Sequence, residues 1–142
     1  VYAFFNGLHI IGDASNGNLY ALNMDTLTDA GAQRKWLRTW RAFPEATMKP
    51  MRFSNLAIDM ATGTVQTPQN TNPQVMLRWS DDGGSTWSNE HWVNIGVEGK
   101  YKNRAMWRRL GWARDRVFEV VVTDPVKAVI VSANLKSSGG EN

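Results

Sequence analysis

The chain has 142 residues and a mass of 16.0 kDa, room for one domain or for one domain and part of another. Hydrophobic residues make up 42%, enough for a core, and there is no cysteine, which excludes disulfides and thiolate metal sites and gives no reason to expect an oxidising compartment. The formal charge of +3 is modest, and no apolar run approaches the roughly 20 residues that span a bilayer as a helix.

Seven Trp and 12 Gly, with scattered Thr and Val, suit a β protein with many tight turns. The chain opens Val1-Tyr2-Ala3-Phe4-Phe5 without Met. That opening is too short and uncharged for a signal peptide and reads like a larger protein cut inside a strand. Leu8–Ile11 is a candidate strand, Asp13–Asn18 is dense turn chemistry, and Leu19–Met24 is a second strand. Asp25-Thr26 and Asp29-Ala30-Gly31 turn the chain, and Arg34–Trp40 is a third strand. This rhythm predicts that residues 1–43 form a segment resembling the last blade of a β-propeller, and one blade cannot bury its own faces.

Residues 44–50, with Pro44 and Pro50, are the expected linker. Residues 51–136 then read as an antiparallel β-sandwich-like domain. Met51–Phe53 and Leu56–Met60 alternate in conflicting phases, which predicts a bulge at Ser54-Asn55. Ala61-Thr62-Gly63 is expected to turn the chain, and Gln66–Pro73 to form an exposed loop. Strands follow over Ala105–Trp112, over Val117–Thr123 with Glu119 and Thr123 on a solvent face, and over Val126–Leu135 with Val129, Val131, Ala133 and Leu135 in phase. Residues 137–142 are expected to be a flexible tail. No stretch carries a 3.6-residue period over three turns, so the predicted fold class is all-β.

Ser80-Asp81-Asp82-Gly83-Gly84-Ser85-Thr86-Trp87 matches the Ser-x-Asp-x-Gly-x-Thr-Trp pattern of the Asp box, a hairpin turn found in many β proteins. A carboxylate at Asp82 can accept backbone N–H groups two or more residues on, and Gly83-Gly84 permits positive φ. Ser80, Asp82, Gly84, Thr86 and Trp87 are therefore assigned a structural turn, and turn capping is the role expected of Asp81 as well. Adjacent carboxylates in extended chain point to opposite faces, which disfavours a facing acid/base pair.

The chain offers few parts for catalysis. His9 and His91 stand alone, and there is no nucleophile elbow, phosphate loop or dinucleotide fingerprint. A sialidase needs an arginine cluster, a Tyr–Glu pair and several blades to join them. One Asp box with Tyr2, Tyr20 and Tyr101 does not supply these. No enzyme, metal or cofactor is expected. Two basic clusters are interleaved with tryptophan: Arg34, Lys35, Arg38 and Arg41 with Trp36 and Trp40; and Lys100 through Arg116 with Trp107 and Trp112. Such stretches can bind phosphate and stack bases, or they can be strand faces on which arginine stems lie over Trp rings. Trp36, Trp40, Arg104, Arg108 and Arg109 are the candidate interface residues. Strand alternation puts Arg104 and Arg108 on one face and Arg109 on the other, with at least one packed on Trp107 or Trp112 or paired with an acid such as Glu119. A carbohydrate-binding or glycosidase-related domain, with Trp36, Trp40 or Trp92 as stacking platforms, and a nucleic-acid-binding module are the competing readings.

Gly17–Asp25 with Thr28–Gly31, Met51–Gly63, and Pro73–Ser80 continuing through Trp87–Glu90, Trp107–Gly111, Asp115–Phe118 and Thr123–Val126 form a series whose order and spacing resemble the C-terminal part of tail hub proteins of short-tailed bacteriophages and prophages, the packaged DNA stabilisation proteins. The resemblance covers most of residues 15–135, and the family's chain is several-fold longer. It implies a non-enzymatic tail hub or nozzle component that is made in the bacterial cytoplasm and resides in the virion tail. It also implies assembly as a homo-oligomeric ring with the portal adaptor, needle and tailspike as partners, helping to close the portal channel and retain packaged DNA. DNA contact by the basic strand is not favoured over a subunit contact, and no membrane partner is implied.

Overall fold

Residues 1–42, 49–65, 72–96 and 103–139 are described by a computed structural model, in which every regular element is a β-strand. The chain forms two compact units, Val1–Arg34 and Lys35–Asn142.

In the first unit, β1 (Tyr2–Phe5), β2 (Leu8–Gly12) and β3 (Leu19–Leu22) make an antiparallel meander. Asn6 and Gly7, at φ 49° and 76°, form the two-residue turn whose twist matches its flanking strands. Asp13 accepts from the N–H and the Oγ of Ser15 at 2.8 and 2.7 Å, holding the wider β2–β3 turn. A small hairpin, β4 (Thr28–Asp29) with β5 (Ala32–Gln33), follows. Tyr2, Phe4, Phe5, Leu19 and Leu22 are exposed.

The second unit contains β6 (Trp36–Arg41), β7 (Met51–Val65), β8 (Gln74–Ser80), β9 (His91–Asn94), β10 (Asn103–Ala113), β11 (Val117–Val122) and β12 (Val126–Gly139). They form two antiparallel sheets, ordered β10-β7-β12 and β6-β11-β8-β9. Their inner faces meet in one core: Phe53, Leu56, Ile58 and Met60 from β7, Trp107 and Leu110 from β10, and Val75, Leu77, Phe118, Val120 and Val122 from the other sheet. Phe118 is fully buried, edge-on to Phe53 at 5.9 Å. This arrangement is a β-sandwich, the all-β class that the alternation predicts.

The bulge expected at Ser54-Asn55 is present against β12, where Ser54 is the extra residue between the pairs Asn55–Lys136 and Phe53–Ser137. Against β10 the register also shifts there, but the extra residue is on β10, between Arg108 and Gly111. Several expectations are corrected. Trp36–Trp40, grouped above with the first segment, pairs as β6 with β11 of the sandwich. Ala61-Thr62-Gly63 does not turn the chain, because β7 runs on to Val65; a second bulge, opposite Val126 to Ala128, absorbs the glycine. β11 is not half-exposed: it lies between β6 and β8, and Glu119 is buried with an ion partner. On β12, an extra residue between Ile130 and Ser132 reverses the phase, so Ala128 and Ile130 pack on the core while Val129 and Val131 face solvent. Ser137–Gly139 extends β12 rather than fraying, and Pro73 is fully buried, its carbonyl accepting from the Ile95 N–H at 2.9 Å. Lys49 and Pro50 are exposed without regular structure. The remaining linker residues 44–48, the loop residues 66–71 and residues 140–142 lie outside the described residues.

Candidate functional site

The connection from β8 to β9 is built on Asp82. Its carboxylate accepts from Ser80 Oγ at 2.6 Å, from the Thr86 N–H at 2.9 Å and from Thr86 Oγ1 at 2.6 Å. Ser80 Oγ in turn accepts from the Gly84 N–H at 2.8 Å. Gly83 and Gly84 sit at φ 74° and 105°, the left-handed region that side-chain-bearing residues avoid. Four acceptor contacts hold the Asp82 carboxyl below its ordinary range, with Ser80 and then Thr86 the leading causes. Trp87 leaves the turn beneath the guanidinium of Arg78, 4.7 Å from its ring centroid. Arg78 donates to Glu119 at 2.6 Å, so the turn is linked to β11, the neighbouring inner strand of its sheet.

Asp81 does not cap this turn. Its two carboxylate oxygens take Nε and Nη2 of Arg116 at 2.6 and 2.7 Å, a bidentate pair across 35 residues. Arg116 is 2% exposed. Its Nη1 donates to the Leu110 carbonyl, and its guanidinium lies 4.9 Å from the Phe53 ring and 5.3 Å from that of Trp79. One buried cation therefore holds the β8–β9 connection, the irregular part of β10 and the core. Nothing local in the sequence signals this pair; its only trace is an arginine opening a strand.

β10 departs from strict alternation at that irregularity. Arg109 and Leu110 together oppose the single residue Ser54, and Arg109 and Gly111 adopt φ 60° and 83°. The extra residue corrects the expected facing: Leu110 points into the core, while Arg108 and Arg109 are both exposed. Of the candidate arginines, Arg104 is ion-paired, but with Asp59 at 2.7 Å rather than with Glu119. Asp59 also accepts from Ser132 Oγ at 2.7 Å, and both donors lower its carboxyl pKa. Arg108 Nε reaches Met106 Sδ at 3.2 Å. Trp36 and Trp40 are half-buried against the core and, with Arg38, Ala128, Ile130 and Ala133, line a cleft of about 740 Å³ between the edges β6 and β12. The structure thus splits the candidates between this cleft and the outer face of the three-stranded sheet.

Among the described residues no cluster of three or more His, Asp or Glu side chains is placed to hold a metal, and no helix is long and apolar enough to cross a membrane. His91 stacks on Trp79 at 4.8 Å and gives its carbonyl to Trp107 Nε1 at 2.9 Å, a packing arrangement.

Two antiparallel sheets closed on one core, with ion pairs such as Asp81–Arg116 and Arg78–Glu119 tying separate segments together, make a β-sandwich domain. Residues 35–138 match the family described as bacteriophage P22 Gp10, beta-sandwich. The match covers well over half of the chain, which belongs to this family of phage tail proteins and is a structural component of the virion tail, working among other virion proteins. None of the curated proteins matches the chain.

Proposed function

We propose that the protein acts within a tail hub or nozzle that closes the portal channel and helps retain packaged DNA. It works by assembly with other proteins and not by catalysis, in a homo-oligomeric ring that meets the portal adaptor, needle and tailspike. The observation that carries this reading is the family match over residues 35–138, the whole sandwich. The open edge at Trp36 and Trp40 supports a protein contact, because partly buried tryptophans beside a cleft are typical anchors of interfaces. We read the Ser80–Trp87 turn as an Asp box with a structural role, on the strength of the bonds that converge on Asp82. The meander of the first unit, apolar and exposed, suits a propeller blade that packs against neighbouring blades. The test is to delete the gene in the phage that encodes it and measure nuclease-protected DNA in the particles. Heads that fill and then lose their DNA are expected. Particles that keep a full complement of DNA and remain infectious would overturn the reading.

A further inference from the structure

The outer face of β10-β7-β12 is strongly basic. The ladder sets four rungs across it: Arg104, Asp59 and Ser132; Met106, Ala57 and Asn134; Arg108, Asn55 and Lys136; and Trp112, Arg52 and Ser138. The bulge adds Arg109. Five cations therefore share the face with one acid, Asp59, which Arg104 and Ser132 already occupy. Among the described residues no carboxylate pairs with Arg52, Arg108, Arg109 or Lys136, all of them exposed. Two shallow depressions of about 490 and 360 Å³ share Ser54 and Arg109, and Arg52, Arg108, Arg109 and Lys136 line them.

We infer that this face binds the phosphodiester backbone of nucleic acid, without sequence preference. The argument is charge complementarity with the right companions. Arginines separated by serine and asparagine are the side chains that contact phosphate oxygens. Met106 and Trp112 also line these depressions, so an acidic protein is the competing occupant; what favours phosphate is the single carboxylate on the face, Asp59, set against five cations. Arg108 and Lys136 flank Asn55 on neighbouring strands, roughly 10 Å apart, and β10 from Arg104 to Trp112 extends about 25 Å. A duplex laid along it presents on the order of seven phosphates per strand. The bulge is the sharper clue: a regular strand would have turned Arg109 inward, and this one spends a left-handed arginine to bring two consecutive cations to the same surface. Such contacts are weak singly and non-specific, which lets DNA slide while it is held. The inference goes beyond assembly, which requires no cation at these positions, and its failure leaves the nuclease-protection result unaffected.

The test is fluorescence anisotropy of the intact chain with two unrelated labelled duplexes and a single strand of equal length, titrated against salt. Equal affinity for the duplexes is expected, with log K falling against log salt at a slope of about −4. The triple variant Arg108→Gln/Arg109→Gln/Lys136→Gln should reduce that slope by about three and weaken low-salt binding at least tenfold. A control that removes the same charge elsewhere, Arg34→Gln/Lys35→Gln/Arg114→Gln, should leave the slope unchanged. If the triple variant does not fold, each single substitution should still reduce the slope by about one. Tighter binding of the single strand, lost on Trp112→Ala, would assign the backbone to single-stranded nucleic acid; tighter duplex binding would assign it to duplex. Absence of binding at low salt, equal loss in the control, or tighter binding of polyglutamate than of either nucleic acid would overturn the inference, the last in favour of an acidic protein.

Discussion

Asp81→Ala removes the half of the Asp81–Arg116 pair that is easier to reach, and it should cost more than removing the buried half. The Asp81 side chain is 45% exposed and that of Arg116 2%. Without Asp81, the guanidinium stays in the core, over Phe53 and Trp79, bonded to the carbonyls of Leu110 and Trp112 but with no counter-charge. Breaking a buried pair from one side costs about 3–5 kcal/mol, and the surviving carbonyl bonds place this case near 3 kcal/mol. Arg116→Met keeps the stem volume, deletes the buried charge and leaves Asp81 to hydrate. The remaining cost is the Leu110 carbonyl without its donor and the lost ring contacts, about 2 kcal/mol in all. Once Arg116 is gone, Asp81 has nothing to stabilise, so the double variant should also lose about 2 kcal/mol, against about 5 kcal/mol for independent effects. Urea unfolding followed by tryptophan fluorescence reads this directly, because all seven tryptophans lie in the second unit. Additive losses, or an Asp81→Ala midpoint equal to the parent's, would refute the reasoning.

Three further outcomes are expected. The carboxyls of Asp82, Asp59 and Asp115 lie below the ordinary value of 3.8, so the stability they supply is complete above about pH 4 and is lost as pH falls through their depressed values; Asp82→Asn should flatten the fall of the urea midpoint below pH 4 and lower the midpoint at neutral pH, and an acid limb of unchanged steepness would count against it. Gly111→Ala has open space for its methyl group but must hold φ 83°, so a loss of about 1–2 kcal/mol in the same unfolding assay should come from the backbone alone. Phe118→Ala, at the fully buried centre of the sandwich, should cost about 3–5 kcal/mol, and a loss below 1 kcal/mol would show that the two sheets do not close on it.

Alternation made the strands legible, and conflicting phases across Ser54-Asn55 marked the bulge on β7. Residue periodicity cannot report a partner's register. Val129 and Val131 read as inward because an extra residue on β12 leaves no trace in composition, and Gly63 read as a turn because glycine serves turns and bulges equally. Glu119 read as a solvent-facing residue because its partner Arg78 lies on another strand. The turn at Asp82 was readable because all its contacts fall within four residues. The Asp81–Arg116 pair was not, because two residues on opposite sides of a sheet connection share no local pattern.

That pair and the exposed arginines are parts of one device. Leu110, whose carbonyl Arg116 holds, is the residue that the bulge turns into the core, and Arg109 beside it is the one the same bulge turns outward. Arg109 adopts a left-handed conformation that costs of the order of 1 kcal/mol, and such strain persists only where surrounding contacts over-determine it. Arg116 supplies those contacts: a bidentate carboxylate from the β8–β9 connection, a carbonyl of β10, and stacking on rings from both sheets. A regular strand with the same composition would have fewer cations on its solvent face and an arginine pointing into a core with no carboxylate to meet it. The arrangement is therefore best understood as a surface feature maintained from beneath. One arginine is buried and fully bonded so that two others, adjacent in sequence, stand on the outer face of the sheet beside Arg52 and Lys136, where no carboxylate among the described residues neutralises them.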